Sequence, residues 1–290
     1  MSSKAPLLIE DTNLSHAWGR VFLHIIDNCG EEISPLVVTL TEFNDGLPDQ
    51  DAAIVKALDE CLTGQNKETV SKFSERIFPS SMWELFKNNR QEFFSNYIQD
   101  LPNIKAVDKK YRPCLYFERL IAFSCEAHNG NQLEHIISEY KSRPTVRKSM
   151  LQASIFDPAR DHVRNAQLGF PCLGHISFVP NNDDKTLVLN AFYATQQIFS
   201  KAYGNYLGLC KLGHFMAYEM GLTFERMNCF VGVEKLDEKI NKKKIGPKSP
   251  ILTPLIKVVR EALESKTESR VPLKVFQEEK TFKGARHRKE

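Results

Sequence analysis

One stretch constrains the fold of this chain more than any other: two β-rich runs flank the polar pentapeptide Asn181–Lys185 (NNDDK). The runs are Gly174–Val179 and Thr186–Ala194, and a polar break between two such runs predicts an antiparallel hairpin. Gly204–Met220 follows as an apolar helix whose small residues permit close packing, and Asn228–Val233 predicts another strand. We therefore expect a sheet with an apolar helix packed against it.

Helical patterns dominate the rest of the chain. In Asn13–Asn28, Leu14, Trp18 and Phe22 recur at helical spacing, and Gly30 is a plausible stop. Strands and helices do not alternate strictly, so the sequence predicts an α+β fold in which helices cover a mixed sheet. The other predicted helices are Asp51–Leu62, Met82–Ile98, Gln132–Tyr140 and Pro254–Leu263, and the other predicted strands are Pro35–Leu40 and Arg147–Phe156.

The composition is that of a globular protein. The chain has 290 residues, 42% of them hydrophobic and 26% charged, which is enough for one large domain or two small ones. It contains no apolar run of about 18 residues, and its N-terminus lacks the pattern of a secretory signal. We therefore expect a cytoplasmic protein without a membrane partner. The seven cysteines form no Cys-x-x-Cys pair, so the sequence predicts no metal site.

The character of the chain changes near Glu234, where a charged stretch begins and then breaks at Gly246 and Pro247. We divide the chain there into a main domain, residues 1–240, and a C-terminal helix with a basic tail, residues 241–290. This second part belongs to the same domain or is appended to it.

Basic residues in the second part allow a nucleic-acid-associated interpretation. They are Lys242, Lys243, Lys244, Lys248 and the tail Arg286–Lys289. A charge run is more often a solvated face, no aromatic residues interleave it, and the net charge is only +3. A nucleic-acid partner is therefore not favoured.

Four segments between Tyr140 and Asp237 carry a resemblance to a known family. In order they are YKSRPTVRKSMLQASIF, GFPCLGHISFV, LVLNAFYATQQIFSKAYGNYLGLCKLGHFMAYEMGL and MNCFVGVEKLD. Their order and spacing resemble thymidylate synthase and the related pyrimidine C5-hydroxymethylases, and weaker matches occur in NLSHAWGRVFLHII, YFERL and NQLEHII. The resemblance implies a thymidylate synthase-like α+β fold and a homodimer formed through a sheet face.

The resemblance also implies a reaction. Cys172 occupies the position of the family's nucleophile, whose thiolate attacks C6 of a pyrimidine nucleotide. C5 then captures a one-carbon unit from 5,10-methylenetetrahydrofolate, giving methyl or hydroxymethyl transfer. Tyr116 matches an active-site tyrosine of the family. We expect Cys172 to be the most reactive cysteine and the other six to lie mainly on buried apolar faces.

Candidate substrate-binding residues follow from the same comparison. Asn205 falls on the asparagine that reads the pyrimidine edge, because an amide both donates and accepts hydrogen bonds; the alternative is a helix cap. Arg147 and Lys148 occupy the family's paired-arginine positions, which serve the substrate phosphate of the partner subunit. Thr195 and Gln197 occupy further substrate and folate positions.

Several positions depart from the family pattern. The histidine that usually follows the nucleophile is Leu173, and the arginine before Thr195 is Ala194, which removes a bidentate phosphate clamp. The folate-contacting aspartate is Gln197, and the His-x-Tyr of the sugar site is replaced by Lys235–Asp237. Two functions therefore stay open: a one-carbon transferase with an altered substrate, and a noncatalytic nucleotide-binding or assembly protein on the same fold.

Overall fold

The computed structural model describes residues 6–107, 115–162, 171–237, 239–240, 243–244 and 246–268. Six strands form one mixed open sheet in the order β1–β2–β6–β5–β4–β3. They are β1 (Leu7–Asp11), β2 (Leu36–Thr41), β3 (Gln152–Ser154), β4 (Leu173–Asn181), β5 (Thr186–Gln197) and β6 (Thr223–Lys235); β7 (Lys239–Ile240) and β8 (Lys243–Lys244) form a separate ribbon. The pairs β1–β2 and β5–β6 are parallel and the others antiparallel.

The predicted hairpin is confirmed, since β4 and β5 pair antiparallel around residues 182–185. The helices are α1 (Leu14–Asp27), α2 (Ala52–Thr63), α3 (Val70–Ser74), α4 (Ser80–Leu85), α5 (Arg90–Val107), α6 (Tyr116–Ile121), α7 (Gln132–Ser142), α8 (Pro158–Asp161), α9 (Tyr203–Met220) and α10 (Thr253–Glu268). Helices and sheet together confirm the α+β class.

Three sequence predictions need correction. The single helix expected over Met82–Ile98 is two helices, α4 and α5, because residues 86–89 leave helical geometry between them. The strand expected over Arg147–Phe156 is shorter: Lys148–Met150 form a 3₁₀ turn, and only β3 pairs with the sheet. β1 was not predicted at all.

Capping side chains fix the start of the main helices. Asn13 Oδ1 accepts from the His16 N–H at the start of α1, and Asp51 Oδ1 accepts from the N–H groups of Ala53 and Ile54 in α2. Each bond satisfies a backbone donor that the first turn of a helix leaves without a partner.

Helix α9 lies in the centre of the core and is buried on nearly every side. Its small residues allow this position: a Cβ at Gly204 would lie 2.8 Å from the Phe73 ring, and one at Gly208 would lie 2.8 Å from Ile77. Helix α3 therefore packs directly on the backbone of α9.

The helices cover one face of the sheet. Along β5, Leu189, Ala191 and Tyr193 are buried, whereas Phe192 between them is 42% exposed; along β6, Phe230 is 40% exposed. This alternation shows that the second face is open.

Helix α10 packs against α1 and α2. Leu255 and Val259 of α10 belong to the same buried core as Trp18 of α1. Within the described parts of the chain, no helix is both long and apolar enough to cross a bilayer.

Candidate functional site

The candidate site lies where the alternation of buried and exposed residues is interrupted in both β5 and β6. Buried residues follow odd numbers from Leu187 to Tyr193 in β5 and from Met227 to Val231 in β6, and the next buried residues are the even-numbered Gln196 and Glu234. Between them, two consecutive residues on each strand turn away from the core. Gly232 allows this close approach, because a Cβ there would lie 2.8 Å from the carbonyl oxygen of residue 194. Gln196 and Glu234, which are partners in the strand register, are thereby turned inward.

Cys172 lies just before β4 and is half-buried. Its carbonyl oxygen accepts from the Ala194 N–H at 3.1 Å, which anchors the residue to the irregular part of β5. The Thr195 hydroxyl faces the Cys172 sulfur, with Oγ1 3.9 Å from Sγ. In this contact the hydroxyl donates to sulfur. The structure thus brings together two of the predicted site residues.

Two tyrosines extend the site into the core. Burial raises the pKa of Tyr193, and the neighbouring groups Tyr116, Cys229, Cys172 and Glu234 raise it further in that order. Tyr116, the first residue of α6, therefore lies near Tyr193, which in turn lies near Cys172. The hydroxyl of Tyr193 has no hydrogen-bond partner in the described part of the chain.

Asn205 lies inside the first turn of α9 and is 3% exposed. The alternative interpretation as a helix cap is wrong: the helix follows a π-helical turn, Ile198–Ala202, and its N-cap position is Ala202. The Oδ1 atom of Asn205 is buried and has no partner among the described residues. This oxygen therefore keeps its full capacity to accept a hydrogen bond.

Glu234 and Tyr206 complete the buried cluster. Burial raises the pKa of Glu234 well above its usual value, and Asp237 raises it further. Burial likewise raises the pKa of Tyr206, with Glu234 as the next cause. The Tyr206 hydroxyl, both Glu234 oxygens and both amide atoms of Gln196 have no hydrogen-bond partner of normal geometry in the described ranges. We call Tyr193, Gln196, Asn205, Tyr206 and Glu234 the buried polar cluster.

Gln197 and Asp237 lie at the rim of this cluster. Ser200 Oγ donates to Gln197 Oε1 at 3.5 Å, and the Ser200 N–H donates to Asp237 Oδ2 at 3.2 Å. Burial raises the pKa of Asp237 despite these bonds. The end of β5 is thus tied to the end of β6 through the π-helical turn.

Arg147 and Lys148 are not brought to Cys172 within one subunit. Both are exposed, and the turn that carries them adjoins β4 where Phe178 N–H bonds to Leu151. At about 3.3 Å per strand residue, that point lies more than about 15 Å along β4 from Cys172.

The expectation for the other cysteines is partly wrong. Cys29 and Cys125 are exposed, whereas Cys210 and Cys229 are buried and Cys61 is half-buried; Cys114 lies outside the described residues. Exposure alone therefore does not make Cys172 the most accessible thiol.

Sequence reasoning missed four members of the cluster: Tyr193, Gln196, Tyr206 and Glu234. A strand pattern of period two places Gln196 and Glu234 on the opposite face from Tyr193 and Val231. The available signal was Gly232, an isolated glycine within a strand, which is typical of a bulge or a close backbone approach.

Comparison with known proteins identified no relative of this chain. No family model matches the chain, and no curated protein matches its sequence. The function must therefore be argued from the site itself.

Proposed function

We propose that this chain is a divergent member of the thymidylate synthase and pyrimidine C5-hydroxymethylase family, and that it transfers a one-carbon unit to C5 of a pyrimidine nucleotide. The observation that carries the proposal is the position of Cys172. Its half-buried thiol lies beside Thr195 and near Tyr193, and Tyr193 belongs to the buried polar cluster, whose members carry polar atoms without partners among the described residues. Such a cluster costs free energy unless a ligand pairs with it.

The chemistry begins at Cys172. The sulfur forms a bond to C6 of the base, and the C5–C6 π electrons move to C5, which becomes nucleophilic. Bound folate would supply the methylene carbon to which C5 bonds, and the bonds from that carbon to the folate nitrogens would break as C5 gives up its proton. Hydride from the released tetrahydrofolate, or water, would then complete methyl or hydroxymethyl transfer as the thiolate leaves and the ring is restored. The Thr195 hydroxyl contacts the sulfur atom that makes and later breaks the bond to C6.

Asn205 supplies base recognition in this proposal. Its buried amide can accept from a ring N–H and donate to a ring carbonyl, which is the pattern of a uracil-type base. Gln197 is half-buried at the rim, where its amide offers one donor pair and one acceptor to 5,10-methylenetetrahydrofolate. The folate would supply the one-carbon unit when bound.

The phosphate site requires a second subunit. Arg147 and Lys148 are too far along β4 to serve their own Cys172, so we propose that they serve the neighbouring site of a homodimer formed through the open sheet face. Phe192 and Phe230 stack on that face with ring centroids 5.5 Å apart. Exposed stacked aromatics are typical of the centre of an interface.

Sedimentation tests the dimer. The wild-type chain is expected to sediment as a dimer at micromolar concentration, and Phe230→Asp as a monomer, because a carboxylate at the centre of the interface would be buried without a partner. Leu85→Asp is the matched control, since Leu85 is 80% exposed on α4, far from the sheet. A wild-type monomer would remove both the dimer and the shared phosphate site.

Intact-mass measurement tests the reaction. The protein is incubated with uridine, deoxyuridine, cytidine and deoxycytidine monophosphates and their 5-fluoro analogues, with and without methylenetetrahydrofolate. A 5-fluoro base cannot lose a proton from C5, so the covalent intermediate accumulates. We expect an added mass of nucleotide plus folate on the wild type and none on Cys172→Ser.

The same experiment separates the two open functions. Tight nucleotide binding by the wild type without any adduct would identify a noncatalytic nucleotide-binding protein on the same fold. Failure to bind any of these nucleotides would contradict both interpretations.

A further inference from the structure

Two residues of the buried polar cluster have no role in the proposed reaction. Gln196 and Glu234 are partners in the parallel pairing of β5 and β6, and they are 3% and 0% exposed. Their four side-chain polar atoms all lack a hydrogen-bond partner of normal geometry in the described ranges. A buried polar atom without a partner destabilises the fold, and apolar side chains at these two positions would avoid that cost.

The groups around Glu234 favour the protonated form of its carboxyl. Burial raises the pKa of Glu234, Asp237 raises it further, and the backbone N–H of Lys235 offsets this only in part. Glu234 in turn raises the pKa of Tyr193 on β5, Tyr206 on α9 and Cys229 on its own strand, and none of these neighbours is a cation. These surroundings favour the protonated carboxyl, which can donate one hydrogen bond and accept another.

The cluster therefore has a particular chemistry. It contains two amides, two phenols and one carboxyl group whose neutral form burial favours. A lining of this kind matches a neutral planar ring with alternating carbonyl and N–H groups, and it does not match a phosphate, which requires cations or several converging N–H donors.

We propose that Gln196 and Glu234, whose buried polar atoms lie side by side on β5 and β6, form a second recognition pair for the pyrimidine base, in addition to Asn205. The inference rests on the proposed nucleotide site. The acid O–H donates to a ring carbonyl, and the amide of Gln196 pairs with the adjoining polar edge. No covalent step is assigned to either residue.

Calorimetric titration with deoxyuridine monophosphate (dUMP) between pH 5 and pH 9 tests the pair. Four proteins are compared: wild type, Glu234→Gln, Glu234→Leu and Glu225→Gln. The last is the matched control, because Glu225 lies on the same strand, far from the cluster, and its carboxylate contacts Thr186. The phosphate of dUMP also titrates in this pH range. Because it affects all four proteins alike, its effect cancels in the ratio of two Kd values measured at the same pH.

The expected results differ for each variant. Glu234→Leu binds dUMP about ten- to a hundredfold more weakly than wild type near pH 6, because the ligand loses its partner. Glu234→Gln keeps a neutral donor and acceptor, so its Kd relative to wild type improves as pH rises and the wild-type carboxyl ionises. Glu225→Gln follows wild type throughout. A residue with only a structural role would change the melting temperature but not this pH-dependent ratio.

Two results would overturn the proposal. If both Glu234 variants melt as folded proteins and bind dUMP within about twofold of wild type at every pH, Glu234 does not contact the base. If wild type itself binds no pyrimidine nucleotide, the proposed function fails and this inference fails with it. The wild-type titration therefore distinguishes the two failures.

Discussion

Two buried glutamates, Glu134 and Glu234, differ in their hydrogen bonding. Glu134 on α7 receives hydrogen bonds from Arg90 at 2.7 and 2.8 Å and from Ser138 at 2.8 Å, and Arg90 also contacts Glu219 at 3.1 Å. Glu234 has no such partner among the described residues.

The pKa shifts of the two groups follow from this difference. Burial alone would raise the pKa of Glu134, but hydrogen bonds from Arg90 and Ser138 lower it overall. Burial raises the pKa of Glu234, and Asp237 adds to the effect. A paired buried carboxylate is part of the scaffold, whereas an unpaired one points to a ligand. The predictions below test this distinction.

The largest effect is expected at the paired site. Arg90→Met leaves Glu134 and Glu219 without their common cation in a partly buried position, and we expect a loss of stability on the order of 3 kcal/mol. Arg143→Met is the control, because its pair with Glu139 is exposed and screened by solvent, so its loss changes stability little. Urea denaturation measures both, and equal losses would show that the Arg90 cluster is not structural.

A smaller effect is expected at Asn205. Asn205→Asp replaces a group that donates and accepts with one that only accepts, so relative binding shifts from dUMP toward deoxycytidine monophosphate by about 1–3 kcal/mol. Calorimetry with both nucleotides measures the shift, and Asn96→Asp on α5 is the control. An unchanged preference for the two bases would mean that the amide does not read the base.

The smallest effect is expected in the pH dependence of stability. The pKa of Glu234 is raised in the folded state, so the folded protein binds more protons than the unfolded chain above the usual value of 4.5. Wild type therefore loses stability as pH rises from there through the folded pKa. The amide in Glu234→Gln does not titrate. The difference in stability in favour of this variant over wild type is therefore absent at pH 4 and grows toward neutral pH. Thermal melts at several pH values measure this difference, and parallel curves for the two proteins would contradict it.

Much of the fold was predictable because local patterns agreed with tertiary packing. The hairpin between β4 and β5 follows from a polar turn between two β-rich runs, and α1 follows from its apolar face and its cap at Asn13. The break after α4 was missed because aromatic residues continue across it. β1 was missed because LLIED is short and only partly buried.

The candidate site was less predictable. Cys172 and Asn205 were found through the resemblance, since an isolated cysteine or asparagine has many ordinary uses. Gln196 and Glu234 depend on an irregularity shared by two strands that are distant in sequence. The period-two pattern of a single strand does not contain that information.

Site-resolved alkylation of the cysteines tests the central claim most directly, namely that Cys172 lies in a nucleotide site. Substoichiometric iodoacetamide is applied with and without the nucleotides used above, and peptides are quantified by mass spectrometry. We expect bound nucleotide to slow alkylation of Cys172 and to leave Cys29 and Cys125 unchanged, because both are exposed elsewhere on the molecule. If every nucleotide leaves Cys172 as reactive as before, relative to these two internal controls, the cluster beside it is not a nucleotide site.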